Sequence, residues 1–179
     1  MEDSDLLEKL RHPDSKNFGF SLLVRKYQQK IYWHIRKMVI DHDDADDITQ
    51  EVFVKVFKNI EKFRQDAQLF TWIYRIATNE CLNFLQHKKR RFFLPIHDLE
   101  SELFDKLSNA PYISGDAVQL ALQKALLKLP DKQRLVFNMK YFDDLSYEEI
   151  AEITGTSIGA LKASYHHAVK KIEDLLKSH

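Results

Sequence analysis

Between Phe18 and Val39, apolar side chains fall at Phe20, Leu23, Tyr27, Ile31, Ile35 and Met38, at steps of three and four. Steps of that size gather side chains on one face of an α-helix. Arg25, Lys26, Lys30 and Arg36 are left for the opposite face. The period returns downstream at Ile48, Val52, Val56 and Ile60, with Phe53 and Phe57 beside them. Only four glycines and four prolines occur in 179 residues. An all-β chain needs many tight turns, and those draw heavily on both residues. Leu, Lys, Glu, Ala and Gln, all good helix formers, fill the periodic stretches. The fold class expected is therefore all-α.

The pattern divides the chain into helices with one break. Leu6, Leu7 and Leu10 predict a short first helix ending near His12-Pro13. Asp43 is suited to cap a helix that begins there, and the acids after it suit the positive end of the helix dipole. A further helix is predicted over Leu69–Lys89, with Ile73, Ile76, Ala77, Leu82 and Leu85 facing inward. From about Arg91 to Asp116 the period dissolves among Pro95, Pro111 and Gly115, leaving only a short helix at Leu99–Leu107. Helices then resume at Val118–Leu129, Asp131–Phe142, Ser146–Ile153 and Ser157–Lys177. The reading is two small helical domains, 1–90 and 117–179, joined by a linker at 91–116. That linker is longer than a usual loop within a compact domain.

The formal net charge is +0, so bulk charge does not mark a nucleic-acid binder. The charge is segregated instead: Asp41, Asp43, Asp44, Asp46, Asp47 and Glu51 form an acidic block, and Lys88, Lys89, Arg90 and Arg91 a basic run. Separate faces can thus attract separate partners. The single cysteine, Cys81, excludes an intrachain disulfide and a cysteine-based zinc site. No leader-like N-terminus and no run of about 20 apolar residues is present. A cytoplasmic protein without membrane insertion is the expectation.

The most informative stretch is LSYEEIAEITGTSIGALKASYHHAVKKIEDLL. Ser146 and Glu149 have the spacing of a capping box. Ala151 and Gly155, four apart, suit a helix-turn-helix: a small residue where the helices pack, then one that tolerates positive φ at the turn. Ser157 caps the second helix, in which Ile158, Leu161, Tyr165, Ala168, Ile172 and Leu175 form a buried stripe. Ser157, Ala160, Lys162, Ala163, Ser164, His166, His167 and Lys170 are left as candidates to meet DNA in the major groove.

Two further segments each admit more than one reading. The acidic block lacks the glycine and spacing of a calcium loop, so no metal is assigned to it. It is in part a solvated helix start. It can also dock a protein, because Asp47, Gln50 and Glu51 share a flank away from the apolar stripe. In FTWIYRIATNECLNFLQHKKRR, aromatic residues mix with Arg75, Asn79 and Asn83 ahead of the basic run. That mixture suits unstacked bases, through ring stacking, base-edge hydrogen bonds and phosphate contacts. It equally suits core aromatics on a helix with a basic tail.

These three motifs, in this order on a chain of this length, resemble the sigma-70 family in its smallest, extracytoplasmic-function (ECF) form. ADDITQEVFVKVFKNIEKF looks like its segment that docks on core RNA polymerase. FTWIYRIATNECLNFLQHKKR looks like its segment that recognises and melts the minus-ten element. LPDKQRLVFNMKYFDDLSYEEIAEITGTSIGALKASYHHAVKKI looks like its domain that reads the minus-thirty-five element. The resemblance implies polymerase docking by Asp47, Gln50 and Glu51. It implies minus-ten recognition and melting by Phe63, Phe70, Trp72, Arg75, Asn79, Asn83, Lys88, Lys89 and Arg90, with the loop from Phe63 to Phe70 capturing a flipped base of the non-template strand. The linker acids Asp98, Glu100, Glu102 and Asp105 would suit a path shaped for RNA. Core polymerase and promoter DNA, duplex and single-stranded, are the implied partners, and there is room for an anti-sigma factor. No catalytic residue, cofactor or metal is implied.

The chain also departs from the family pattern. Ser164 and His167 stand where basic residues are common, which lowers the fixed charge facing DNA. Gln86 and His87 also replace residues that are often basic. The competing expectation is a stand-alone helix-turn-helix regulator that binds a palindromic duplex as a dimer. It accounts for the C-terminus and leaves the two N-terminal segments unused.

Overall fold

The computed structural model describes residues 2–64, 67–91, 96–109 and 116–178, with the backbone alone for 96–100. The described residues form α-helices and short helical turns, without strands. α1 (Asp3–Arg11) lies across α2 (Lys16–Val39). Gly19 allows that approach, since a Cβ there would lie 3.0 Å from Lys9 Cβ. Tyr27 donates to Asp3 at 2.6 Å and fastens the pair.

α2 buries Leu23, Tyr27, Ile31, Ile35 and Met38, the stripe expected from its spacing. Arg36 departs from expectation: it is only 8% exposed rather than on the solvent face. The helix stops at Ile40, which has φ 66° and donates its N–H to the Arg36 carbonyl. A β-branched residue is strained there, by about 1–2 kcal/mol. Its side chain is nevertheless buried with Leu103, Leu107 and Leu127.

α3 (His42–Asn59) begins two residues earlier than the sequence predicts. Its cap is Asp41, whose carboxylate accepts from the Asp44 N–H at 3.0 Å. Asp43 therefore lies in the first turn, where its charge still favours the dipole. A 3-10 turn (Ile60–Lys62) leads toward α4 (Leu69–Arg91). In α4, Ile73, Tyr74, Ala77, Cys81 and Leu85 are buried, while Ile76 and Leu82 are half-buried.

The break after α4 contains more order than its sequence suggests. α5 spans Ile96–Ser108. Leu103 and Leu107, one turn apart, are its buried contacts, too few to register as a period. α6 (Ala117–Leu127) is capped by Asp116, and α7 (Asp131–Phe137) follows Pro130. The helix predicted to run on to Phe142 instead widens into a π turn over Asn138–Phe142, where the Asp143 N–H reaches the Asn138 carbonyl. α8 (Tyr147–Thr154) and α9 (Ile158–Lys177) complete the chain.

The two halves share one core. Met139, Leu145, Ile150 and Ile153 belong to the same apolar cluster as Ile35, Met38, Tyr74 and Leu85. A second cluster, with Leu126, Phe137, Ala168 and Ile172, lies wholly in the C-terminal half. Arg134, 3% exposed, donates to the Met38 carbonyl at 3.0 Å, so α7 supplies a partner to the end of α2.

Candidate nucleic-acid and protein-docking surfaces

α8 and α9 form a helix-turn-helix whose turn is built as its residues require. The Ser146 Oγ accepts from the Glu149 N–H at 3.1 Å, and Glu149 Oε2 accepts from the Ser146 N–H at 2.8 Å. Gly155 sits at φ 69° and donates to the Ala151 carbonyl. A Cβ there would meet nothing within 4 Å, so backbone conformation, not space, calls for glycine. Ser157 accepts from the Ala160 N–H and starts α9.

In α9, Leu161, Ala168 and Ile172 are buried, and Ile158, Tyr165 and Leu175 half-buried. Tyr165 stacks on Phe137 with centroids 5.7 Å apart. Opposite them, Ser157, Ala160, Lys162, Ala163, His166, His167 and Lys170 are exposed, and Ser164 is half-buried. Lys162 lies over the Tyr147 ring at 5.7 Å, which holds its ammonium near the first helix of the motif.

α3 separates its acids into two sets. Asp41 and Asp44 face the molecule, pairing with Lys106 at 3.0 Å and Lys88 at 3.4 Å. The backbone hydrogen bond from Asp44 and the Lys106 ammonium hold the Asp41 carboxyl below the usual range, against its partial burial. Asp43, Asp46, Asp47, Gln50 and Glu51 are exposed. Val54, 50% exposed, extends that outer strip with an apolar side chain that the sequence reading passed over. Glu51 reaches Lys55 at 3.8 Å, and Lys55 also pairs with Glu80 of α4 at 2.5 Å. Among the described residues, no three His, Cys, Asp or Glu side chains converge as a metal site requires.

The aromatics at and before the start of α4 are partly or wholly buried, while the polar residues of the same segment are exposed. Arg75, Asn79 and Asn83, four apart, are exposed on one line. Phe70 and Trp72 are half-buried, and Phe63 is buried with its ring 5.2 Å from Trp72. Phe70 sits 4.8 Å from Tyr74, with Lys30 5.7 Å from its ring centroid. Phe70 and Trp72 are therefore core at one edge and open at the other, while Phe63 is enclosed behind Trp72. The basic run divides too. Lys88 pairs with Asp44 and Glu102, Lys89 pairs with Asp131 at 2.5 Å, and Arg90 is exposed beside an open cleft of about 820 Å³. Of the linker acids, Glu102 also meets Lys106 at 3.2 Å, while the side chains of Asp98 and Glu100 lie outside those described. Gln65 and Asp66 of the expected capture loop also lie outside the described residues.

Sequence reasoning missed the polar cluster between the halves. The Asp143 carboxylate is ion-paired with Lys37, accepts from the Tyr74 hydroxyl at 2.6 Å and lies 3.4 Å from His34 Nδ1. His34 is fully buried, with Nε2 3.0 Å from the Thr78 hydroxyl. Burial pushes the His34 imidazole below its ordinary pKa, so it is neutral at pH 7. Burial also works to raise the Asp143 carboxyl, but the contacts from His34 and Lys37 outweigh it and hold the group low. A histidine within an otherwise apolar stripe was the one available signal, and it did not name a partner.

An all-α molecule with a helix-turn-helix at one end, an exposed amide and arginine line on a second helix and an exposed acidic strip on a third has the make-up of a DNA-binding protein. Comparison with known proteins makes the class specific. Residues 23–91 match Sigma-70 region 2, and residues 119–172 match Sigma-70, region 4. The chain is 31% identical to the RNA polymerase sigma-H factor of Pseudomonas aeruginosa, over 98% of this chain and 94% of that one. It is 32% identical to the ECF RNA polymerase sigma factor SigW of Bacillus subtilis, over 89% of each. Against the ECF RNA polymerase sigma-E factor of Escherichia coli the figure is 30%, over 97% of this chain and 94% of that one. The fold is also that of CnrH, solved with the cytosolic domain of CnrY (TM-score 0.70, 21% identity, 97% of this chain and 96% of that one). It is likewise that of the sigma factor RpoE from Bartonella quintana, solved with the anti-sigma factor NepR (TM-score 0.68, 23% identity, 88% of this chain and 96% of that one). The chain belongs to the sigma-70 family of RNA polymerase sigma factors, in its ECF group.

Proposed function

We propose that this chain binds core RNA polymerase, directs it to particular promoters and helps to open them, with its three exposed surfaces dividing the work. Residues 1–90 carry polymerase docking and minus-ten recognition, 91–116 connect, and 117–179 read the minus-thirty-five element. The outer strip of α3, through Asp47, Gln50 and Glu51, docks polymerase. The line Arg75–Asn79–Asn83, with the open edges of Phe70 and Trp72 and with Phe63 packed behind Trp72, takes the unstacked non-template strand; Arg90 serves its phosphates, and Lys88 and Lys89 join it by exchanging Asp44, Glu102 and Asp131 for phosphate. The open face of α9 enters the major groove. The observation that carries the reading is the simultaneous exposure of these strips on three separate helices. A dimeric helix-turn-helix regulator needs only the last of them.

Strand opening without fuel requires tighter binding to the open strand than to the duplex. Flipping a base costs a few kcal/mol. Ring stacking returns about 1–3 kcal/mol per base. Several contacts must therefore act together with the polymerase, and the free chain should hold promoter DNA weakly. The phosphodiester chemistry belongs to the polymerase, so the chain itself acts without catalysis. It works in the cytoplasm, and an anti-sigma factor is a fitting regulator, given that the sigma factor RpoE of similar fold was solved with the anti-sigma factor NepR. No helix among the described residues is long and apolar enough to cross a membrane.

The test is retention of purified core polymerase by the chain, followed by run-off transcription from a library of genomic promoters. New start sites that depend on the chain are expected. Asp47→Lys should lower polymerase retention about tenfold or more while leaving the circular dichroism spectrum unchanged, because it inverts a charge in the docking strip. Full retention by Asp47→Lys and Gln50→Ala alike would move docking off α3.

A further inference from the structure

A cleft of about 360 Å³ opens where α4, α5, α6, α7 and α9 meet. That size falls within the range of small-molecule pockets, about 300–1,000 Å³. Its apolar lining is aliphatic: Leu85, Leu103, Leu127 and Leu129, each 5% exposed or less, with Pro130 beside them. Among the described residues no aromatic ring lines it. Such a lining suits a saturated chain better than a nucleobase, which draws its binding from stacking on rings.

The polar lining is cationic. Lys89, Lys128, Arg134 and Lys171 share the cleft with a single carboxylate, Asp131. Lys89 and Asp131 already pair at 2.5 Å. Lys128 and Lys171 are exposed. Arg134 differs from them, being only 3% exposed. Its Nη2 donates to the Met38 carbonyl at 3.0 Å and lies 3.7 Å from Asp131. Its Nε–H is buried and has no hydrogen-bond partner among the described residues. A buried donor is destabilising until an acceptor answers it, and a charged one more so. Here the donor belongs to a residue that lines a cleft, where a ligand can supply the acceptor.

We propose that this cleft binds a medium-chain carboxylic acid, whose carboxylate accepts from the Arg134 Nε–H and whose saturated chain lies along the four leucines. An ionised carboxylate only accepts hydrogen bonds, and its two oxygens match what the cleft offers. One answers the buried guanidinium, and the other lies in the field of Lys128 and Lys171. A phosphate would bring a third oxygen and more charge to a site with one unanswered buried donor. The size of the cleft limits the chain to medium length. Lys89 alone among these residues has a part in promoter binding, and in the cleft it is already paired with Asp131. The site therefore stands apart from the promoter and polymerase surfaces.

The test is calorimetric titration of the full chain at neutral pH with hexanoate, octanoate, decanoate and decanol, each below the concentration at which it forms micelles. One decanoate per chain is expected, with affinity rising about threefold to fourfold per methylene from hexanoate to decanoate. Decanol, the same chain without the charge, should bind about tenfold more weakly or worse. Lys128→Glu combined with Lys171→Glu should weaken decanoate about tenfold and leave decanol unchanged. The same reversal at Lys58 and Lys62, exposed and outside the cleft, should change neither. Arg134→Met also removes the Met38 contact and can unfold the chain, so the unaltered protein supplies the second readout. The magnetic resonance signal of the Arg134 Nε–H should shift on saturation with decanoate and stay in place with decanol. Equal affinity for decanoate and decanol, uptake without saturation as an adventitious amphiphile only, full decanoate affinity in the Lys128 and Lys171 variant, or an unmoved Arg134 signal would each overturn the site.

Discussion

His34 and Asp143 are a residue-scale pair with a measurable consequence. The folded-state pKa of His34 lies below its ordinary value of 6.5, so below that pH the unfolded chain binds the proton more readily and stability falls with acidity. Asp143 is held below its ordinary 3.8, and its contribution is complete above that value and lost as pH falls through the folded pKa. Urea unfolding should show one decline beginning near pH 6.5 and another below about pH 4. His34→Gln, which keeps a hydrogen bond for Thr78, should remove the first decline. An identical slope between pH 7 and 5 in that variant would assign the titration to another group. Gly155 gives a cleaner backbone case: Gly155→Ala puts a Cβ into open space but into a left-handed conformation. A loss of about 1–2 kcal/mol in unfolding free energy is expected. A neutral result would mean the turn readily adopts another conformation.

At the scale of elements, α9 was the most legible part of the chain. Its stripe, its serine cap and the glycine before it were readable because each acts within a few residues. The side left open by that stripe is the one exposed in the structure. Lys162→Ala should weaken binding to duplex carrying the upstream element and lessen the slope of log affinity against log salt by about one. Retention of the full slope would show that Lys162 remains over Tyr147 and leaves phosphates to Lys170 and its neighbours. α3 was legible in its apolar stripe but not in its start. Asp41 and Asp43 are equally good caps by type, and the choice fell to Asp41, which also meets Lys106 of α5. α5 itself was half legible: Leu103 and Leu107 make sense as buried contacts only once Ile40 and Leu127 are known to lie opposite.

Across the whole molecule, the shared core predicts shared unfolding. Trp33 and Trp72 are the only tryptophans, and both lie in the N-terminal domain. Ile150, fully buried in the common cluster, lies in the C-terminal domain. Ile150→Ala should cost about 2–5 kcal/mol. It should also lower the denaturation midpoint seen by tryptophan fluorescence, although neither tryptophan is in the mutated domain. A fluorescence midpoint unmoved while circular dichroism shifts would separate the two cores.

Most of the helices, the helix-turn-helix with its serine caps and glycine turn, and the polar composition of the three strips were determined by the sequence itself. Each depends on periodicity or on hydrogen bonds between near neighbours, and both are written within one or two turns of chain. The contact between the domains was decided only by tertiary structure. Asp143 lies 106 residues from Lys37 and 69 from Tyr74. Arg134 caps the Met38 carbonyl from 96 residues away. No local pattern pairs a carboxylate with one lysine among many, because any of them satisfies the same Coulomb attraction. The choice follows from burial, which removes water from one combination and makes that pairing the favourable one.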